Sequence, residues 1–168
     1  MEVEVTAPSL NAKAREYIRK ATHPFLFKLG LGKALPSALF WSLRIETLNI
    51  ERCQVSIPFK WRTQNPFKSI YFAAMAGAAE LSTGALCQLA QAGKGKFSML
   101  VVGFRAEYYK KADQKITFEC SQGVELFGII DSLDVGDSDT LTMVAKGANE
   151  DGDEVAKFFV TWSFKRKA

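Results

Sequence analysis

Residues 65–84 read NPFKSIYFAAMAGAAELSTG, and the way this stretch folds decides the rest of the chain. From Ser69 to Ala92 the residues are small or strong helix formers and contain no proline, while Asn65-Pro66 turns the chain ahead of them and Ser69 is placed to cap the start. The stretch is apolar on nearly every side, which for a helix means burial on nearly every side. Its length also suits a membrane span. Glu80, Ser82, Thr83, Gln88 and Gln91, together with the lack of Leu/Ile/Val-rich character, argue instead for a helix buried in a protein core. Alanine and glycine at so many positions let neighbouring backbone come close, so the simplest packing is a curved antiparallel sheet wrapped around this one helix.

The flanking segments supply such a sheet. Upstream, ALFWSLRIETLNI and ERCQVSIPFKW mix aromatic and β-branched residues over strand length and read as a pair. Downstream of Gly93 the chain reads as strands alone: KFSMLVVGFRAEYYK, QKITFECS, VELFGIIDSLD, DTLTMVAKGANE and EVAKFFVTWSFK, separated by turn chemistry in ADQ, VGDSD and DGD. Before the first strand, LNAKAREYIRKA carries Leu10, Ala14, Tyr17, Ile18 and Ala21 at helical spacing, with Ser9 as its N-cap and His23-Pro24 as its interruption. LGLGKALPS then reads as a Gly/Pro-punctuated connection. The fold class is α+β, with residues 1–37 forming a helical extension and residues 38–168 the main domain.

Composition bounds the function. The 168 residues are 48% hydrophobic and 24% charged, ordinary for one globular domain. The net charge of +4 is spread along the chain except for a C-terminal Lys-Arg-Lys, read as a ragged basic tail. No basic stripe interleaved with aromatics points to nucleic acid. Cys53, Cys87 and Cys120 are far apart and odd in number, which suits reduced thiols in a cytoplasmic protein better than a disulfide framework or a metal knuckle. MEVEVTAPSL has neither the basic nor the apolar region of a secretory signal. His23 is the one histidine, so it reads as a capping or surface residue, and a Ser-His-Asp triad or histidine-held zinc is disfavoured. GKGK at 93–96 lacks the context of a phosphate loop.

Glu80 is the chemical oddity. On a helix its neighbours are Ala76, Gly77, Thr83 and Gly84, a floor of hydrogen, methyl and hydroxyl groups. A buried carboxylate without partners has a raised pKa or destabilises the fold, so it needs hydrogen bonds or a wet cleft. A structural glutamate and a catalytic one both satisfy that requirement.

An asparagine before a long small-residue helix, a carboxylate fifteen positions later and a serine eighteen positions beyond that, here Asn65, Glu80 and Ser98, resemble the hotdog-fold acyl-CoA thioesterases. The resemblance covers roughly residues 38–165. It implies a hotdog fold, Glu80 as general base or nucleophile, Asn65 orienting water or carbonyl, and Ser98 holding the water or tuning Glu80. Backbone N–H groups near Tyr71, Phe72 and Ala73 are implied to face the thioester oxygen, with Gly77, Thr83 and Gly84 lining the substrate and Lys94 and Lys96 meeting the phosphates of coenzyme A. It further implies a homodimer or tetramer, with the acyl-CoA-like substrate between subunits, no other cofactor, no metal, no nucleic acid and no membrane insertion. A second reading is a non-catalytic binder of acyl thioesters or lipids. It rests on Tyr71-Phe72-Ala73, which stand where many such enzymes begin the helix with His-Gly-Gly.

Overall fold

The structure, a computed structural model, describes residues 10–168. Its centre is α4, Phe72–Gln91, whose buried residues occur all round the helix, among them Ala74, Ala78, Ala79, Ala85 and Ala90. The small-residue composition explains this: no side chain on most of the helix is long enough to hold a neighbouring strand away. Six strands enclose it, β1 (Arg44–Leu48), β2 (Cys53–Ile57), β3 (Lys96–Tyr108), β4 (Ile116–Cys120), β5 (Ser138–Ala148) and β6 (Glu154–Lys167). They form one antiparallel sheet in the order β1-β2-β4-β5-β6-β3, leaving β1 and β3 as its edges. Alternation along the strands sends Val55, Ile57, Phe118, Met143, Phe158 and Phe164 to the inner face, all fully buried. None of the helices among the described residues is long and apolar enough to cross a membrane.

Three short helices precede β1, namely α1 (Ala12–Thr22), α2 (Pro24–Ala34) and α3 (Pro36–Phe40). The expected cap Ser9 lies outside the described residues. Asn11 caps α1, accepting from the Ala14 amide at 2.9 Å, while its amide group donates to the Ala92 carbonyl at 2.7 Å. One side chain thus joins the start of α1 to the end of α4. His23 does cap a helix, since its Nδ1 accepts from the Leu26 amide at 3.4 Å, and Pro24 occupies the first turn where its missing N–H leaves nothing unsatisfied. Two sequence readings change here. The LGLGKALPS connection is helical, because Gly30 and Gly32 adopt ordinary helical backbone and Leu31 is buried. The strand expected from Ala38 is shorter, beginning at Arg44 after α3 has ended.

VELFGIIDSLD is also not a strand. It forms α5, Gly123–Ser132, with Gly123, Leu126, Phe127 and Ile130 buried at helical spacing. Apolar runs of this length fit either period, and packing against α4 decides it. The basic C-terminus is no tail, since Lys165, Arg166 and Lys167 complete β6 and Arg166 donates to the Leu133 carbonyl at 2.7 Å.

Gly123 is required by close approach. A Cβ there would lie 2.1 Å from the Ile50 carbonyl oxygen, a backbone atom that cannot rotate away. Gly123→Ala is therefore expected to lower the unfolding free energy by about 1–3 kcal/mol, read as a drop in urea midpoint at constant slope.

Candidate active site

Glu80 lies on the side of α4 turned away from the strand core, where burial is least complete. Its Oε1 lies beside Gly84, 3.1 Å from where a Cβ on that residue would stand, and the Trp162 indole closes the same gap at 3.3 Å. Alanine at 84 would crowd both groups. Thr83 is not an open contact: its hydroxyl accepts from Trp162 Nε1 at 2.9 Å and donates to the Glu80 carbonyl at 2.9 Å. Gly77 is covered by Trp41, whose ring would stand 2.7 Å from an added Cβ. The expected floor is therefore occupied, with only Gly84 adjoining the carboxylate.

The Glu80 carboxylate has no hydrogen bond and no ion pair among the described residues. Burial raises its pKa above the ordinary 4.5. Its charge is felt by Tyr17 on α1 and by Cys87 about two turns further along α4, both of which burial itself pushes up. Tyr17 was visible in the sequence only as an apolar helix position, and nothing there signalled that α1 would fold against this carboxylate.

At the other end of the helix, Tyr71 is the N-cap and offers no capping side chain. Its amide donates to the Thr63 carbonyl at 2.7 Å. The Phe72 and Ala73 amides, at the first turn, have no acceptor among the described residues, as expected of unsatisfied helix-start donors. The Tyr71 and Phe72 rings pack edge to face, 4.9 Å between centroids, and both are exposed. Asn65 lies in the turn before them. Its Oδ1 accepts from the Phe67 amide at 3.0 Å and from the Ser69 amide and hydroxyl at 3.2 Å, so that oxygen organises the turn. The same turn uses up Ser69, and the N-cap falls two residues later than expected, at Tyr71. Asn65, Phe72 and Met75 line a cavity of about 230 Å³ together with Tyr108, Lys110 and Lys111 from the end of β3.

Ser98 does not join Glu80 within one chain. Met99 pairs with Phe164 and Val101 with Trp162, both of which face α4, so Ser98, opposite Lys165, points to the outer face. Spacing alone could not reveal which face the strand would present. Lys94 is engaged by Asp131 of α5 at 2.5 Å and lies over the Phe127 ring, whereas Lys96 is exposed at the start of β3.

This architecture, a curved antiparallel sheet around one long helix, is the hotdog fold. Solved structures share it at low sequence identity. A Pseudomonas aeruginosa protein of unknown function called a probable thioesterase matches with a TM-score of 0.69 and 18% identity over 87% of this chain and 98% of its own. A Chlorobaculum tepidum protein of unknown function matches at 0.69 and 14%, over 88% and 99%. A Haemophilus influenzae thioesterase matches at 0.65 and 12%, over 86% and 91%. The chain belongs to the DUF4442 family, described as a domain of unknown function, which it matches over residues 25–164. No curated protein matches it in sequence.

The raised Glu80 pKa carries a stability consequence. The folded state holds the Glu80 proton to higher pH than the unfolded chain does, so this residue weakens the fold progressively as pH rises from about 4.5 through its folded value. Glu80→Gln should accordingly raise the thermal midpoint at neutral pH, and the gain should vanish below pH 4, as followed by circular dichroism across a pH series.

Proposed function

We propose that this protein hydrolyses acyl thioesters of the coenzyme A type, with Glu80 as the general base, in a site formed between two copies of the chain. The observation that carries the reading is the isolated Glu80 carboxylate, the one charged group on α4, held without a protein hydrogen bond or cation at raised pKa. Among the described residues Gln114 Oε1 is the one buried side-chain oxygen or nitrogen without a partner, so the Glu80 oxygens reach solvent, as a base that takes a proton from water must. A general base works best with its pKa moved toward the working pH, and burial moves a carboxylate in that direction.

The second element is the pair of free amides at Phe72 and Ala73, where the positive end of the helix dipole favours a developing oxyanion. Eight residues separate Phe72 from Glu80, about 12 Å along the helix axis. One thioester carbonyl cannot meet both groups of the same chain. Two chains joined along β3 would bring the helix start of one toward the carboxylate of the other. The edge position of β3 and its exposed Leu100, Val102 and Phe104 support that association, because a long apolar edge left open invites uncontrolled pairing.

In this reading Glu80 removes a proton from water as its oxygen bonds to the thioester carbon, and the amides hold the resulting oxyanion. Collapse breaks the carbon–sulfur bond, and the proton on Glu80 passes to the departing thiolate, leaving a carboxylic acid and a free thiol. Asn65, through its amide group, orients the acyl carbonyl at the small cavity beside Phe72. Release of thiol from a panel of acyl-CoAs tests this directly: Glu80→Gln should lower kcat by about 100- to 10,000-fold while the thermal midpoint rises rather than falls. Turnover unchanged by Glu80→Gln would reject Glu80 as the base.

The exposed Tyr71 and Phe72 rings favour a second reading, a binder that holds acyl thioesters without cleaving them, since bulk at the helix start restricts access to the two amides. Chain-length-dependent binding with no thiol release on any substrate would select it. Either reading uses the paired assembly. Leu100→Lys combined with Val102→Lys should convert the assembly to monomers by light scattering, with loss of whichever activity the parent shows.

A further inference from the structure

We infer that the outer face of the sheet carries a second ligand site, separate from Glu80, for an organic phosphate bearing an apolar or aromatic body. Alternation turns Ile45, Val55 and Ile57 inward toward α4, so Arg44 and its partner Ser56 face outward, on the opposite side of the sheet from Glu80. α2 and α3 contribute the facing wall, leaving a cavity of about 730 Å³ between them and the strands. That volume is within the range of small-molecule sites.

The charges around it are one-sided. Lys28, Arg44, Lys60, Arg62 and Lys115 line the cavity, and none of the five is paired with a carboxylate among the described residues. Glu46 is the one acid in the lining, and its Oε1 is engaged by the Ser56 hydroxyl at 2.6 Å. Five cations against one carboxylate around a single concavity match a group carrying more than one negative charge, which a phosphate does and a single carboxylate does not. The rest of the wall is apolar, with Phe27, Leu39, Phe40 and Leu43. Such a wall offers nothing to a bare inorganic ion and suits a nucleoside or acyl body attached to the phosphate.

Two local features hold the cationic side open. Arg62 lies over the Phe40 ring at 5.9 Å and donates to the Ser42 hydroxyl at 2.7 Å, which fixes its guanidinium at the cavity wall. Ser42 itself adopts a left-handed φ of 59°, uncommon for a residue other than glycine, at the turn that swings the chain from α3 into β1.

Calorimetric titration with adenosine 3′,5′-bisphosphate, with monomeric lysophosphatidic acid and with inorganic phosphate tests the site and separates a nucleotide source from a lipid one. At least one organic probe should bind more tightly than inorganic phosphate. Its Kd should rise about tenfold or more in Arg44→Gln/Lys115→Gln, and likewise in the independent exposed pair Lys28→Gln/Lys60→Gln, while Glu80→Gln leaves it unchanged. Amide shifts on binding should centre on residues 40–44. Absence of binding by both organic probes, inorganic phosphate binding as tightly as the better of the two, or an affinity indifferent to both double variants would overturn the inference, whatever the outcome of the thiol-release assay.

Discussion

The molecule depends on a helix too small in cross-section to keep a sheet at arm's length. Alanine and glycine around α4 leave room that must be filled, and the inner faces of β2, β4, β5 and β6 fill it with Val55, Ile57, Phe118, Met143, Phe158 and Phe164. Enclosure on that scale is what bends the sheet. It also means that any polar group on α4 must either find a partner in the wrap or occupy the side where the wrap is least complete. Ser82 and Thr83 bond back to the helix carbonyls of Ala79 and Glu80, and Thr83 additionally takes the Trp162 indole proton. Glu80 does neither and is left on the open side.

That open side is finished by the N-terminal helices. Asn11 ties α1 to the end of α4 through a hydrogen bond at each end of its amide, and Tyr17, one to two turns on, approaches Glu80 closely enough to feel its charge. The helical extension is thus part of the carboxylate's environment. A segment that looks like an addition to the sheet-and-helix core helps to set the electrostatics at its most unusual residue.

The core of this arrangement was legible in the sequence because it is written in local signals. Small residues without proline over more than twenty positions announce α4, and alternation flanked by turn chemistry announces β2 through β6. The misreadings share a cause. VELFGIIDSLD and LGLGKALPS are short apolar or glycine-containing runs whose period is ambiguous by themselves, and only burial of Leu126, Phe127 and Ile130 in one case and Leu31 in the other makes them helical. The position of Glu80 followed from helix geometry, a local matter. The position of Ser98 did not, because which face a strand residue presents is set by its register with β6 and by the bulge after Val101, and register is a property of two strands. Asn65 was placed correctly at the turn, yet the use of its oxygen by Ser69 and Phe67 depends on a loop conformation that no spacing encodes.

The same alternation gives the two faces of the sheet different chemistry. On the inner face every strand contributes apolar groups, so a charge there is poorly solvated and acquires a raised affinity for its proton. On the outer face Arg44 and Ser56 stand where α2 and α3 fold over them, and cations there keep contact with solvent and with one another's field. A proton-accepting carboxylate requires the first environment and a phosphate-holding cluster the second. Desolvation moves the Glu80 pKa, and none of these cations acts against it. Had a cation such as Arg44 stood on the inner face within reach of Glu80, it would have favoured the ionised carboxylate and opposed the upward shift.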